Sequence, residues 1–271
     1  MSDGLIFDNS ESFCSIEKKE KNQKTKLRIL KILFFVLLSF VLIELILYSL
    51  VIPVFSNIQF SVTGLETLSE KEIAQYIQLS SNDTWFNFNT SRISQKLASL
   101  SQVETVSVEK RFPDRVAIHI TERKAVAFSL ATIQGKTVPV QIDKKGVVFA
   151  IGKELGNTAI PLITGLALDN ISEGARLHAK LLPLIEQICE IQIINSDYFN
   201  VLSEIRVLPK DYGAYELALY PLNTHIRFLS DSVLNVESLQ YIMVSLDVFK
   251  KTNTMVKEVD LRNGVTSFKI L

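Results

Sequence analysis

The sequence predicts an α+β protein with a single N-terminal transmembrane helix, then a small domain of order β-α-α-β-β, then a mostly antiparallel β domain with flanking helices. Three observations lead there. An apolar run from Leu30 to Ile52 is long enough to cross a bilayer, apolar residues recur at helical spacing in several later stretches, and alternating segments closed by turn residues lie between them.

The apolar run comes first. Between Ile32 and Ile52 only Ser39, Glu44, Tyr48 and Ser49 interrupt it, and at 1.5 Å per helical residue it spans roughly 31 Å. Lys18, Lys19, Lys21, Lys24, Lys26, Arg28 and Lys31 precede it, while Pro53 to Leu65 carries no charge. The positive-inside rule therefore keeps the N-terminus in the cytoplasm and exports the rest. A cleaved signal peptide needs a shorter apolar core and a small-x-small site, which Val54-Phe55-Ser56 does not supply. Residues 1–29 are read as a cytoplasmic tail and 30–52 as the transmembrane helix. The polar, charge-mixed stretch 1–28 is expected to have little fixed structure.

Beyond the membrane, Ile58 to Val62 alternates as a strand and Gly64 supplies a turn. Ser69-Glu70-Lys71-Glu72 is a capping box opening a helix whose stripe is Ile73, Tyr76 and Ile77. Trp85-Phe86 leads to a second helix near Asn89 or Thr90, with Ile93, Leu97 and Leu100 on one face. Val106 and Val108 mark a strand, Phe112-Pro113-Asp114 a turn, and Val116, Ile118 and Ile120 the returning strand. This domain is taken as 57–124.

The second domain, 125–271, reads as strands at Ala125 to Leu130 and Thr137 to Ile142, the turn Asp143-Lys144-Lys145-Gly146, and a strand at Val147 to Phe149. Ile160 to Gly165 is a buried connection. Gly174 to Ile194 carries a helical stripe, with a kink or a division into two pieces expected at Pro183 because proline removes a helical hydrogen bond. Strands follow at Ser203 to Leu208, Tyr215 to Tyr220 and Thr224 to Phe228. A helix from Val236 to Phe249, a strand from Lys257 to Arg262, the turn Asn263-Gly264 and a strand from Val265 to Ile270 close the chain.

Composition narrows the function. The 29 Lys and Arg balance 29 Asp and Glu, so no basic face points to nucleic acid, and the basic run before the helix is explained by orientation and anionic lipid. Cys14 and Cys189 lie on opposite sides of the membrane and cannot pair within one chain, so the exported domains rely on core burial. Cys189 reads as a buried thiol. His119, His178 and His225 are dispersed and read as solvated or locally bonded. No HExxH, GxSxG, P-loop or paired-cysteine spacing occurs. No catalytic residue, cofactor, metal or small-molecule substrate is expected.

The stretch KRFPDRVAIHITERKAVAF, from Lys110 to Phe128, resembles the signature of the bacterial cell division protein family FtsQ/DivIB: a strand, a proline turn and a second strand ending in Glu-Arg. FSVTGLETLSEKEI before it and IDKKGVVFAIG, IPLITG and VDLRNG after it fall in the expected order, and with the short cytoplasmic tail and single anchor the resemblance covers essentially the whole chain. It implies that the first exported domain is a POTRA domain and the second an FtsQ-type β domain. It also implies a non-enzymatic divisome scaffold at the division site of the cytoplasmic membrane. Such a scaffold binds FtsB- and FtsL-like single-pass partners and other divisome components, and regulates septal peptidoglycan synthesis. The implied docking surface is the last strand and the helix before it, which by motif points to Val259, Asp260, Leu261, Arg262, Gly264, Val265, Thr266, Ser267 and Phe268. Where the family often has Trp-Pro, this chain has Phe112-Pro113, and Asn263-Gly264 follows the Asp-Leu-Arg triplet.

Other readings stay open. A POTRA-bearing export or outer-membrane assembly component acting as a chaperone would normally continue into a barrel-length region, and a cell-wall enzyme would need motifs not found here. Glu122-Arg123 is either a partner contact or an interdomain salt bridge and cap, and Trp85-Phe86 either core or an exposed patch. An ionised acid at a helix centre is unfavourable by about 2.5–3.5 kcal/mol, so Glu44 is expected to be neutral or paired. It either bonds Tyr48, four residues on, or contacts a partner's transmembrane helix.

Overall fold

The computed structural model describes residues 10–51, 58–78, 84–153, 160–262 and 266–270, and the protein is α+β. Helix α1, Ser10–Ile46, passes into one π turn at Leu47–Val51. Within it, Lys26–Ser49 is long and apolar enough to cross a membrane and is not buried inside the protein. The tail read as unstructured is thus helical from Ser10. Its sequence is rich in Lys, Glu and Gln, with Glu17 and Glu20 each four residues before a lysine. A helix already formed in the apolar segment propagates into such a sequence without a new nucleation cost.

The chain divides into two compact units, one of Met1–Ser61, Leu79–Thr90 and Glu109–Ala117, the other of Val62–Gln78, Ser91–Val108 and Ile118–Leu271. Strands β1 (Gln59–Thr63), β2 (Val103–Arg111) and β3 (Arg115–Glu122) form a three-stranded sheet in the order β1-β3-β2. Helix α2, Glu70–Ile77, starts at the capping box read from the sequence: the Ser69 hydroxyl accepts from the Glu72 amide at 3.2 Å, and the Glu72 carboxylate accepts from the Ser69 amide at 2.8 Å. Ile73 and Ile77 are buried, as are Ile93 and Leu97 of α3, Thr90–Ala98. Tyr76 stays outside, its hydroxyl 3.1 Å from Ser99 Oγ. Gly64 has φ +87°, and a Cβ there would lie 2.0 Å from the Ile120 carbonyl oxygen, so only glycine lets the chain after β1 approach β3 this closely.

Residues 125–270 build a nine-stranded sheet from β4 (Ala125–Ile133), β5 (Lys136–Asp143), β6 (Val148–Ile151), β7 (Leu162–Thr164), β8 (Leu202–Pro209), β9 (Tyr215–Pro221), β10 (Arg227–Ser230), β11 (Val256–Asp260) and β12 (Ser267–Ile270). Its order is β12-β11-β10-β9-β8-β7-β4-β5-β6, with most pairs antiparallel. The parallel pairs are β4 with β7, β7 with β8, and β10 with β11. Helices α4 (Leu182–Asn195) and α5 (Val236–Thr252) bury Leu184, Ile185, Ile188, Ile191, Leu239 and Ile242 in a core shared with Ile142, Ile163, Ile205, Leu217 and Phe228.

Two expectations change and one is narrowed. The stretch 160–165, read as a connection, contains central strand β7. Three residues are too few to display a period, although Ile163 is fully buried. At Pro183 the segment is in two pieces and not one kinked helix: a 3-10 turn at Ala179–Leu181 precedes α4, and Pro183 sits in the first turn of α4, where its missing N–H costs nothing. Strand β10 begins at Arg227 rather than Thr224, because Asn223 takes a left-handed turn conformation at φ +58°. The turn expected at Asn263-Gly264 lies outside the described residues.

Candidate docking edge and the Glu122–Arg123 junction

A sheet of nine strands has two edges, and here they differ. At the β6 edge the Val148 amide donates to the Ala175 carbonyl and the Gly174 amide donates to the Val148 carbonyl, both at 2.8 Å; the Leu177 amide donates to Gly146 at 2.8 Å. The backbone of 174–177 therefore covers the start of that edge, at Val148. At the other end, β12 is hydrogen-bonded to β11 on one side, and among the described residues nothing pairs with the other. All four β12 residues are exposed, and Phe268 and Ile270, two apart and on one face, are 58% and 60% exposed. An exposed strand edge offers unpaired amides and carbonyls to an added strand.

The site residues read from the sequence fall into distinct roles. Val259 is buried, opposite Phe228 on β10 and Phe268 on β12. Its side chain supports the edge strand from the core and is not presented to solvent. Asp260 and Arg262 pair with each other, Arg262 Nε standing 2.8 Å from Asp260 Oδ1, and Arg262 also reaches Glu216 on β9 at 2.8 Å. The Arg262 hydrogen bond holds the Asp260 carboxyl below its ordinary value, and Lys210 first, then Arg262, do the same for Glu216. The Leu261 amide donates to the Leu229 carbonyl at 2.8 Å. These contacts fix the exit of β11. Thr266, Ser267 and Phe268 are exposed, while Gly264 and Val265 lie outside the described residues.

Helix α5, part of the docking surface the resemblance implies, adds residues that no motif named. Its core stripe was legible, but Tyr241, Val244 and Val248 also recur at helical spacing and are 42%, 63% and 47% exposed. The signal was a second apolar stripe on the same helix.

Glu44 lies on α1, exposed, and Tyr48 falls in the π turn. The change of helical pitch between them breaks the simple four-residue facing on which a local bond was expected.

Glu122 and Arg123 act in opposite directions from the end of β3. The Glu122 carboxylate, 6% exposed, accepts from the amides of Glu66 at 2.8 Å, Thr67 at 2.9 Å and Leu68 at 3.0 Å, and from the Thr67 hydroxyl. Burial pushes its carboxyl up, but these donors outweigh burial and hold it below the usual range. Arg123 pairs with buried Asp143 and donates from Nε to the Ser101 carbonyl at 3.0 Å. Asp143 in turn accepts from the amides of Lys145 at 2.9 Å and Val147 at 2.7 Å. Both residues therefore make the cap and the salt bridge weighed above.

Trp85 is half-buried and Phe86 is 70% exposed, so the pair divides between core and surface. Cys189 is a free, half-buried thiol whose pKa burial pushes up. His119, His178 and His225 are exposed. Among the described residues no His, Cys, Asp and Glu side chains gather in a group that could hold a metal ion.

Residues 55–123 match the family of FtsQ-type POTRA domains. The chain is 27% identical over 174 residues to the cell division protein DivIB of Solibacillus silvestris, covering 63% of this chain and 54% of that one. It is 30% identical over 114 residues to DivIB of Bacillus subtilis, covering 41% of each, and 24% identical over 156 residues to the cell division protein FtsQ of Myxococcus fulvus, covering 57% and 53%. The chain spans about half the length of the curated relatives it matches. A POTRA domain of the FtsQ type, with similarity to proteins named DivIB and FtsQ that extends beyond it, supports the FtsQ/DivIB family of cell division proteins for this chain.

Proposed function

We propose that this chain is a non-enzymatic, single-pass membrane scaffold of the divisome that receives a partner strand on β12. The observation that carries the reading is the contrast between the β6 edge, covered at its start, and the β12 edge, which nothing pairs with among the described residues. The relatives' names support a role in division. In this reading 1–29 is a cytoplasmic tail, 30–52 the anchor, 57–124 the POTRA domain and 125–271 the β domain, with the folded part extracytoplasmic. FtsB- and FtsL-like single-pass proteins are the partners, and septal peptidoglycan synthesis is the process regulated. Glu44 and Tyr48 are assigned to a transmembrane partner contact, residues 264–268 to the strand-addition surface, and residues 259–262 to the support behind it. Affinity comes from backbone pairing along β12, and selectivity from side chains such as Phe268.

The test is co-purification from membranes of the full chain carrying Phe268→Asp or Val265→Asp. Both variants are expected to lose the partners and keep the thermal unfolding midpoint of the parent, and a photocrosslinker at Phe268 is expected to capture a single-pass division protein. Retained partners in both variants would rule out strand addition as the main mode.

A further inference from the structure

A second surface lies far from the docking edge in sequence and is also apolar and exposed. Trp85 sits in the turn Thr84–Asn87 and Phe112 at the tip between β2 and β3, their rings meeting edge to face at 5.8 Å. Lys110 Nζ stands 5.2 Å over the indole and donates to the Phe86 carbonyl at 3.4 Å. The Trp85 Nε1 atom is buried, so the indole supports the cluster from beneath. Phe86 and Phe112 face outward, 70% and 56% exposed, with exposed Arg111 and Arg115 beside them. Glu109, 4.0 Å from Arg111, and Asp114 offset part of this charge, leaving an excess of cations.

What lies opposite this surface follows from chain length. The Gln59 amide donates to the Asp114 carbonyl at 2.9 Å, so the start of β1 is fastened to the hairpin tip. The helical backbone is described to Val51, and the chain from residue 51 to residue 59 reaches at most about 29 Å when fully extended. The tip is therefore tethered within about that distance of the end of α1. Exposed aromatic rings are favoured at the headgroup boundary, and cations beside them are drawn to anionic lipid.

We propose that Phe86 and Phe112, with Lys110, Arg111 and Arg115, dock on the anionic phospholipid surface of the membrane that α1 spans. The proposal rests on the reading of α1 as an anchor. Docking here would fix the tilt of the first exported domain over the membrane.

Trp85 is the single tryptophan of the chain and reports on this cluster directly. The experiment reconstitutes the full chain in phosphatidylglycerol–phosphatidylcholine vesicles carrying a nitroxide on the headgroup and reads Trp85 quenching, with alkaline carbonate washing to confirm insertion. Quenching is expected in the parent chain and is expected to fall at least about twofold in Phe86→Ser/Phe112→Ser and in Arg111→Glu/Arg115→Glu, with unfolding midpoints unchanged. It is expected to fall also in pure phosphatidylcholine. Absent quenching in an inserted parent chain, or equal quenching in both double variants, overturns the proposal. Release of the chain by carbonate overturns the anchor reading instead, and the proposal with it.

Discussion

Glu122 is the residue whose removal has the most calculable effect. It is 6% exposed and takes the amides of Glu66, Thr67 and Leu68, together with the Thr67 hydroxyl. In Glu122→Ala those amides lose their acceptor. An unsatisfied buried donor costs about 1–3 kcal/mol, but Glu66 and Thr67 are themselves exposed, so water replaces part of the loss. The expected destabilisation is about 2–4 kcal/mol for Glu122→Ala and about 1–2 kcal/mol for Glu122→Gln, which keeps one acceptor oxygen and turns an NH2 group toward donors. The sign of the pH dependence follows from the depressed carboxyl. Its contribution is fully present above the ordinary glutamate value of 4.5 and is lost as the pH falls through the lower folded value. The gap between parent and Glu122→Gln should therefore be widest near neutral pH and close in acid. Urea unfolding of the full chain in detergent, followed by Trp85 emission, gives the magnitude, and hydrogen exchange at residues 66–68 locates it. A midpoint for both variants within about 0.5 kcal/mol of the parent at neutral pH would refute the role assigned to the carboxylate.

Arg123→Ala leaves buried Asp143 with the amides of Lys145 and Val147 but no countercharge, and is expected to cost about 2–4 kcal/mol. A double-mutant cycle with Asp143→Asn should return a coupling above about 1 kcal/mol, and additive losses would show the pair to be incidental. At the β11 exit, Asp260 and Glu216 are both held below their ordinary values by cationic hydrogen-bond donors, so their contribution is present above those values and disappears as the pH falls through the folded ones. Hydrogen exchange along β11 and β12 should accelerate in acid and, at neutral pH, in Arg262→Ala; unchanged protection in both would sever these charges from the strand they flank.

What the sequence discloses depends on how far its signals reach along the chain. Ser69 and Glu72 are three residues apart, and their capping box is present as read. Alternation located β3 within two residues, because it keeps one buried face, and β9 within one. Glu122 was legible only as a motif position, since its partners lie 54–56 residues away and nothing local to the Glu-Arg pair distinguishes a cap from a contact surface. Strand β7 is parallel to both neighbours and three residues long, so its place is set by the sheet and not by its own pattern. The final strand was visible from its apolar residues, but that its edge is open and the opposite one covered at its start depends on where 174–177 folds back.

That asymmetry bears on why the edge is open at all. Proteins ordinarily protect sheet edges, since an exposed apolar strand recruits unwanted chains. Among the described residues the 174–177 backbone covers the start of β6 and nothing covers β12, with Phe268 and Ile270 on one face and Lys269 between them as its one charge. The strand beneath is not left loose. Val259 anchors β11 in the core, the Leu261 amide bonds β10, and Arg262 ties Asp260 to Glu216 across the sheet. A bare edge held on a rigid strand lowers the ordering cost of adding another. The exposure of β12 therefore carries a liability, and the rigidity behind it fits the docking role proposed for this edge.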